Sequence, residues 1–179
     1  MGIKLLTEYH PNGQKKSEGH YGDYHPVGDH ISWYENGSKH CESIELDEST
    51  EIVTYWHKNG QIKSKGSRID CWETGLWTEW HENGNKKSKG FYKGKDECNG
   101  EWKFWHSNGQ LACTGIYEDD AENVAGHWIF WDEKGNKVYE NKFNEIELSV
   151  DLMIIDDLGK LRQAGCSPEL VKTFGDYIF

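Results

Sequence analysis

Four histidines, His10, His57, His81 and His106, each stand three residues before a glycine. A recurring imidazole raises the possibility of a metal site. If each copy sits on an equivalent strand of a sheet, successive copies lie two ladder steps apart, roughly 10 Å. Two imidazoles on one zinc need nitrogens about 3.5 Å apart, given Zn–N bonds near 2.0–2.1 Å. The row therefore cannot make one metal site, and a structural or solvated role is expected. Cys113 with His106, or Cys41 with His40, offers a thiol beside a base, but no third group orients the pair and no oxyanion loop is recognisable. The chain also lacks G-x-S-x-G, a phosphate-cradling glycine loop and H-E-x-x-H. Paired acids such as Asp119 and Asp120 fall in an expected loop, where solvation keeps them ordinary. The expectation is a protein without catalytic residues, metal or cofactor.

The elements that carry these residues follow from the glycines. Gly13, Gly37, Gly60, Gly84, Gly109 and Gly135 recur at steps of 24, 23, 24, 25 and 26 residues. A period in that range marks a repeat array. Asn12-Gly13, Asn36-Gly37, Asn59-Gly60, Asn83-Gly84 and Asn108-Gly109 are hairpin signals, and Lys134-Gly135 is the deviant last copy. Asn-Gly between half-apolar runs suits a two-residue type I′ turn, which needs positive φ at both positions. That turn would set Val53 opposite Gly66, Trp77 opposite Gly90 and Trp102 opposite Gly115, each large side chain covering bare glycine backbone. In the same register His81 faces Lys86 and Trp80 faces Lys87.

Strand alternation sorts two faces. The better-covered face is expected to hold Val53, Tyr55, His57, Ile62 and Gly66; then Trp77, Glu79, His81 and Gly90; then Trp102, Phe104, His106, Leu111, Cys113 and Gly115. The other face would carry Trp56, Trp80 and Trp105 as a row of indoles, flanked by Lys63, Lys65, Lys87 and Lys89, with Ala112 beside Trp105. The fold expected is mostly β: an elongated antiparallel meander of about six hairpins over residues 1–143. Twelve strands at about 4.8 Å each would run on the order of 55 Å.

Composition agrees with a thin, aromatic-covered structure: 35% hydrophobic residues, 9 Trp, 9 Tyr and 6 Phe, and a mean hydropathy of -0.88. The formal net charge of -11 argues against nucleic acid and anionic membranes, which attract basic surfaces. It favours a basic protein partner. The start, Met1-Gly2-Ile3-Lys4-Leu5-Leu6, reads as neither a signal peptide nor a myristoylation site, and no stretch approaches a membrane span. Five cysteines without C-x-x-C spacing suit reduced thiols. A cytoplasmic protein without integral membrane association is expected.

Gly75–Gly90 (G-L-W-T-E-W-H-E-N-G-N-K-K-S-K-G) and Gly100–Gly115 (G-E-W-K-F-W-H-S-N-G-Q-L-A-C-T-G) resemble MORN repeats, in particular the bacterial variant of the YwqK-type antitoxin-like family. The resemblance spans roughly residues 3 to 143. It implies β-hairpin sheets that act as protein-binding scaffolds, often in antitoxin or immunity roles. Three departures stand out: His30 in place of Trp, Glu51 in place of the glycine at Gly75 and Gly100, and Asn141 in place of the closing glycine.

After the repeats the period changes. Leu148, Leu152, Ile155 and Leu158 fall at helical spacing, and Ser167-Pro168-Glu169 reads as a helix start before Leu170, Val171 and Phe174. A helical cap over the last strand edge is expected in 144–179, with a partner-binding helix as the alternative. Acids cluster between hairpins (Glu45, Asp47, Glu48 and Glu51; Asp70 and Glu73; Asp96 and Glu97; Glu118, Asp119, Asp120 and Glu122) and would form a ridge along one edge. The reading at this level is an antitoxin or immunity protein that occludes a basic toxin or effector. Glu118, Asp119, Asp120 and Glu122 would steer, and Trp56, Trp80 and Trp105 would anchor. The alternative is a general or membrane-proximal MORN scaffold without a toxin partner.

Overall fold

The computed structural model describes residues 2–22, 26–95, 97–117 and 126–143. The expected helices of 144–179, and Asp96, Glu118, Asp119, Asp120 and Glu122, lie outside them. Twelve strands follow one another in sequence order through an antiparallel ladder. They are β1 (Lys4–Tyr9), β2 (Lys15–Tyr21), β3 (Pro26–Trp33), β4 (Lys39–Glu45), β5 (Thr50–Trp56), β6 (Ile62–Ile69), β7 (Trp72–Trp80), β8 (Lys86–Gly94), β9 (Glu97–Trp105), β10 (Leu111–Tyr117), β11 (Gly126–Trp131) and β12 (Lys137–Phe143). Two compact units arise, one from 1–84 with 92–97, the other from 85–91 with residues from 98 onward.

The Asn-Gly turns differ from the expected type I′. Only the glycine has positive φ (+83° at Gly13, +86° at Gly60, +88° at Gly109), and no asparagine does. The amide of Gly60 donates to His57 O at 2.9 Å, and that of His57 donates to Gln61 O at 2.8 Å. These bonds define a type I turn followed by a left-handed glycine, the three-residue hairpin loop. Asparagine serves by its side chain: Asn59 Oδ1 accepts from the Gln61 amide at 3.0 Å, as Asn12 Oδ1 does from Gln14. The type I′ geometry appears instead on the opposite side of the first unit. There Asp70 and Cys71, with φ of 51° and 70°, join the partners Ile69 and Trp72.

A longer loop would shift the register by one residue, yet Val53 pairs with Gly66 and Trp102 with Gly115 as expected. A bulge restores the register. Trp56 pairs with Ile62 but Tyr55 with Ser64, and Trp105 pairs with Leu111 but Phe104 with Cys113. The same step recurs in β1–β2, β3–β4 and β11–β12. Each time an extra residue, the third after the turn glycine, offsets the extra loop residue. Ile62 and Leu111 thereby share their cross-strand positions with Trp56 and Trp105, a correction to the expected face. Ile62 is 39% exposed.

The core is one face of each unit. In the first, Val53 and Trp77 are buried; in the second, Trp102, Phe104, Cys113, Trp128 and Phe130 are at most 4% exposed. The indoles lie differently from expectation. A Cβ added to Gly66 would fall inside the ring of Trp77, one on Gly90 inside Trp102, and one on Gly115 inside Trp128. So Trp102, although cross-strand from Gly115, leans over the glycine of the preceding hairpin. Its Nε1 donates to Phe91 O at 3.3 Å, and Trp77 Nε1 donates to Ser67 O at 3.0 Å. The indole polar atom is thereby satisfied while the ring seals the bare backbone.

The degenerate repeats obey the same rule. His30 takes the tryptophan position and its ring lies against Gly19. In the next hairpin the glycine becomes Ser43, and its partner is the smaller Val53. Where a Cβ intrudes, the indole is replaced.

Candidate functional site

The histidine row is occupied by backbone. His10 Nε2 donates to Trp33 O (2.8 Å), His57 Nε2 to Trp80 O (2.8 Å) and His106 Nε2 to Trp131 O (2.9 Å), in each case one hairpin further along. A carbonyl only accepts, so Nε2 carries the proton in each ring. Tyr34, at the same repeat position, makes the equivalent bond from its hydroxyl to Trp56 O at 2.7 Å. Asparagine side chains add a second rung: Asn12 to Glu35 O, Asn36 to Lys58 O, Asn59 to Glu82 O and Asn108 to Glu133 O, at 2.7–3.0 Å. In the last hairpin Asp132 takes over the turn, its Oδ1 accepting from the amides of Lys134 and Asn136. The bonds to Asn136 hold its carboxyl below the usual range. The sequence shows this row but not its role, because the partner is a main-chain oxygen that every residue type carries.

Cys41 and His40 are each held toward the neutral form. Cys41 lies beside Tyr55, and burial pushes its thiol pKa up, the reverse of thiolate activation. His40 Nδ1 bonds to Ser32 Oγ at 3.1 Å, and partial burial lowers its pKa, with Lys63 adding repulsion. Cys113 is wholly buried. Among the described residues no group of three or more His, Cys, Asp or Glu could hold a metal ion. None of their helices is long and apolar enough to cross a membrane.

The described inter-hairpin acids are partly engaged locally. Glu45 accepts from the Gly28 amide, and Asp47 Oδ1 accepts from the amides of Ser49 and Thr50 at 3.0 and 2.9 Å. Backbone bonding from Ser49 heads the causes that lower the Asp47 pKa. These two carboxylates shape loops.

The second face, opposite the core, carries Trp33, Trp56 and Trp80 in the first unit and Trp105 in the second, all half-buried. Lysines stand over three of these rings: Lys15 over Trp33 at 5.5 Å, Lys39 over Trp56 at 4.9 Å and Lys86 over Trp105 at 5.7 Å. Each of these lysines sits two residues after a turn glycine, a position earlier than the lysines expected beside the indoles. In the first unit, a shallow recess of about 270 Å³ opens on this face, lined by Ile52, Lys65, Ser67, Leu76, Thr78 and Trp80 around Gly66. The structure thus brings Trp80 into a concave surface in the first unit.

Residues 5–23, 52–70, 73–93 and 99–119 match the family described as MORN repeat variant. These four segments are MORN-variant repeats. The hairpins of the sheet meet at the Gly–Trp contacts and turn ladder described above, and repeats of the kind matched in these four segments suggest a protein-interaction role. A comparison with curated proteins finds no match. Among solved structures, the chain is similar to a mutant of S. aureus TarM in complex with Fondaparinux, alpha-GlcNAc-glycerol and UDP. That match has 10% identity and a TM-score of 0.36, and covers 63% of this chain and 19% of that one. A second TarM structure matches at 13% identity and a TM-score of 0.35, over 50% of this chain and 18% of that one. The chain spans under a fifth of these relatives' length, and a likeness this loose bears on no activity.

Proposed function

We propose that the MORN array is a non-catalytic protein-binding module. It acts as an antitoxin or immunity protein in a bacterial cytoplasm, neutralising a basic toxin or effector by covering it. The observation that carries this reading is the division of the sheet. One face seals its indoles against glycine backbone, while the other leaves Trp33, Trp56 and Trp80 in the first unit and Trp105 in the second half-buried, with lysines standing over three of the four rings. A face of rigid aromatics anchors a protein partner well, since such residues bury much area at small entropic cost. The net charge of -11 supplies long-range attraction for a basic partner.

The two contributions separate kinetically. Trp80→Ala or Trp105→Ala, once circular dichroism shows the variant folded, should weaken partner binding about tenfold, mainly through faster dissociation. Neutralising Glu118, Asp119, Asp120 and Glu122 together should slow association, and rising salt should mimic that change. Folded variants of both kinds that bind and protect like the parent would overturn the reading. Loss of binding to several unrelated proteins at once would instead favour a general scaffold.

A further inference from the structure

The repeat exposes a position where the third hairpin departs from the two before it. Two and five residues after the turn glycine, most outer hairpins place an ion pair on the indole face. The pairs are Lys15–Glu18 at 2.6 Å, Lys39–Glu42 at 2.8 Å and Lys137–Glu140 at 2.5 Å. The bulge between them brings residues three apart onto the same face. In the third hairpin the same positions hold Ile62 and Lys65. The cation has moved to the glutamate position, and the lysine position has become apolar. Among the described residues, no carboxylate pairs with Lys65 and no cation stands over Trp80. Lys65, Trp80, Ile52 and the 56%-exposed Leu76 line the recess.

We infer that this recess on β5–β7 is the docking site for an acidic, apolar peptide segment of the partner protein, with an aliphatic side chain seated against Leu76 and Trp80 and a flanking carboxylate on Lys65. Charge complementarity carries the choice: the other lysines of this kind in the first unit, Lys15 and Lys39, already face a glutamate, whereas Lys65 does not. The inference rests on the protein-binding reading of this face and names the chemistry of its central contact. A partner that is basic overall still presents local acidic segments. Steering by the net charge acts during approach, over separations up to the Debye length of about 8 Å, whereas the carboxylate–Lys65 pair forms only once the surfaces touch.

The test titrates the full chain with two acetylated, amidated octapeptides, one alternating Asp and Leu, the other Lys and Leu, while recording tryptophan indole and leucine methyl NMR signals. The Asp-Leu peptide should shift the signals of Trp80 and Leu76, with the Lys-Leu peptide at least fivefold weaker. Lys65→Glu should reverse that order. The variant should fold, because Glu18, Glu42 and Glu140 occupy the same repeat position in other hairpins. Leu76→Ser should weaken both peptides. Equal binding of the two peptides, an order unchanged by Lys65→Glu, or shifts only at residues outside the recess would overturn the inference. If the isolated segment 144–158, itself acidic and apolar, competes for the same signals, the ligand chemistry stands, and the chain holds a competitor for its own site. The peptides read the recess alone, so failure here leaves partner capture through the rest of the indole face to be judged by the tryptophan variants.

Discussion

Gly90→Ala is expected to destabilise the second unit by about 3 kcal/mol or more, an unusually large cost for a single methyl group. The added Cβ falls within the Trp102 indole, which is 2% exposed. Sheet backbone lies on one side of that ring, and the ring cannot retreat without giving up its bond to Phe91 O. Trp102→Ala should cost a similar amount, about 3–5 kcal/mol, by the opposite route of a cavity over bare backbone. The natural Ser43–Val53 pair shows how a hairpin accommodates a Cβ at this place. Gly90→Ser combined with Trp102→Val should therefore be less damaging than the two separate costs imply, with a coupling of about 1–3 kcal/mol. Urea midpoints for the parent, the two single variants and the double variant measure it. Simple additivity would show that contact between these two residues is not what pairs them.

His106→Ala is expected to cost about 1–3 kcal/mol. The imidazole is 3% exposed and its Nε2 donates to Trp131 O across 2.9 Å, so removal both opens a space and strips the carbonyl of a donor. His57→Tyr is the control, because Tyr34 makes the same bond from the same repeat position and His57 is only half-buried. Its urea midpoint should stay within about 0.5 kcal/mol of the parent. Equal losses in the two variants would mean that ring packing, and not the bond to the next hairpin, is what the row supplies.

The strand order and the better-covered face were legible from the spacing of Gly13 through Gly135 and from simple alternation. So was the pairing of Trp102 with Gly115, although the turn type behind it was misread. The Asn-Gly signal has two physical readings: left-handed backbone at both residues, or a capping asparagine before a left-handed glycine. Only the hydrogen bonds of His57, Gly60 and Gln61 decide between them. A loop residue and a bulge residue cancel, so the error left the distant register intact and moved only the residues beside each turn: Ile62 and Leu111 took the places opposite Trp56 and Trp105 expected for Lys63 and Ala112, which became the bulge residues. The glycine that each indole covers was also not legible, since a tryptophan flanked by two strands can lean either way. At the binding face, Trp56, Trp80 and Trp105 stood out by type. Lys65 did not, because its lack of a carboxylate partner shows only against the ion pairs at Glu18 and Glu42.

A photo-crosslinking amino acid placed at single positions of the full chain, in cells that contain its partner, tests the binding account most directly. Thr78 lies on the indole face and lines the recess, and Glu79 is the next residue along the same strand, pointing to the other side. The account predicts a single covalent protein adduct from position 78, lost with Trp80→Ala, and none from position 79. Adducts from 79 and not from 78, or none from either while the protein still protects its host, would contradict it.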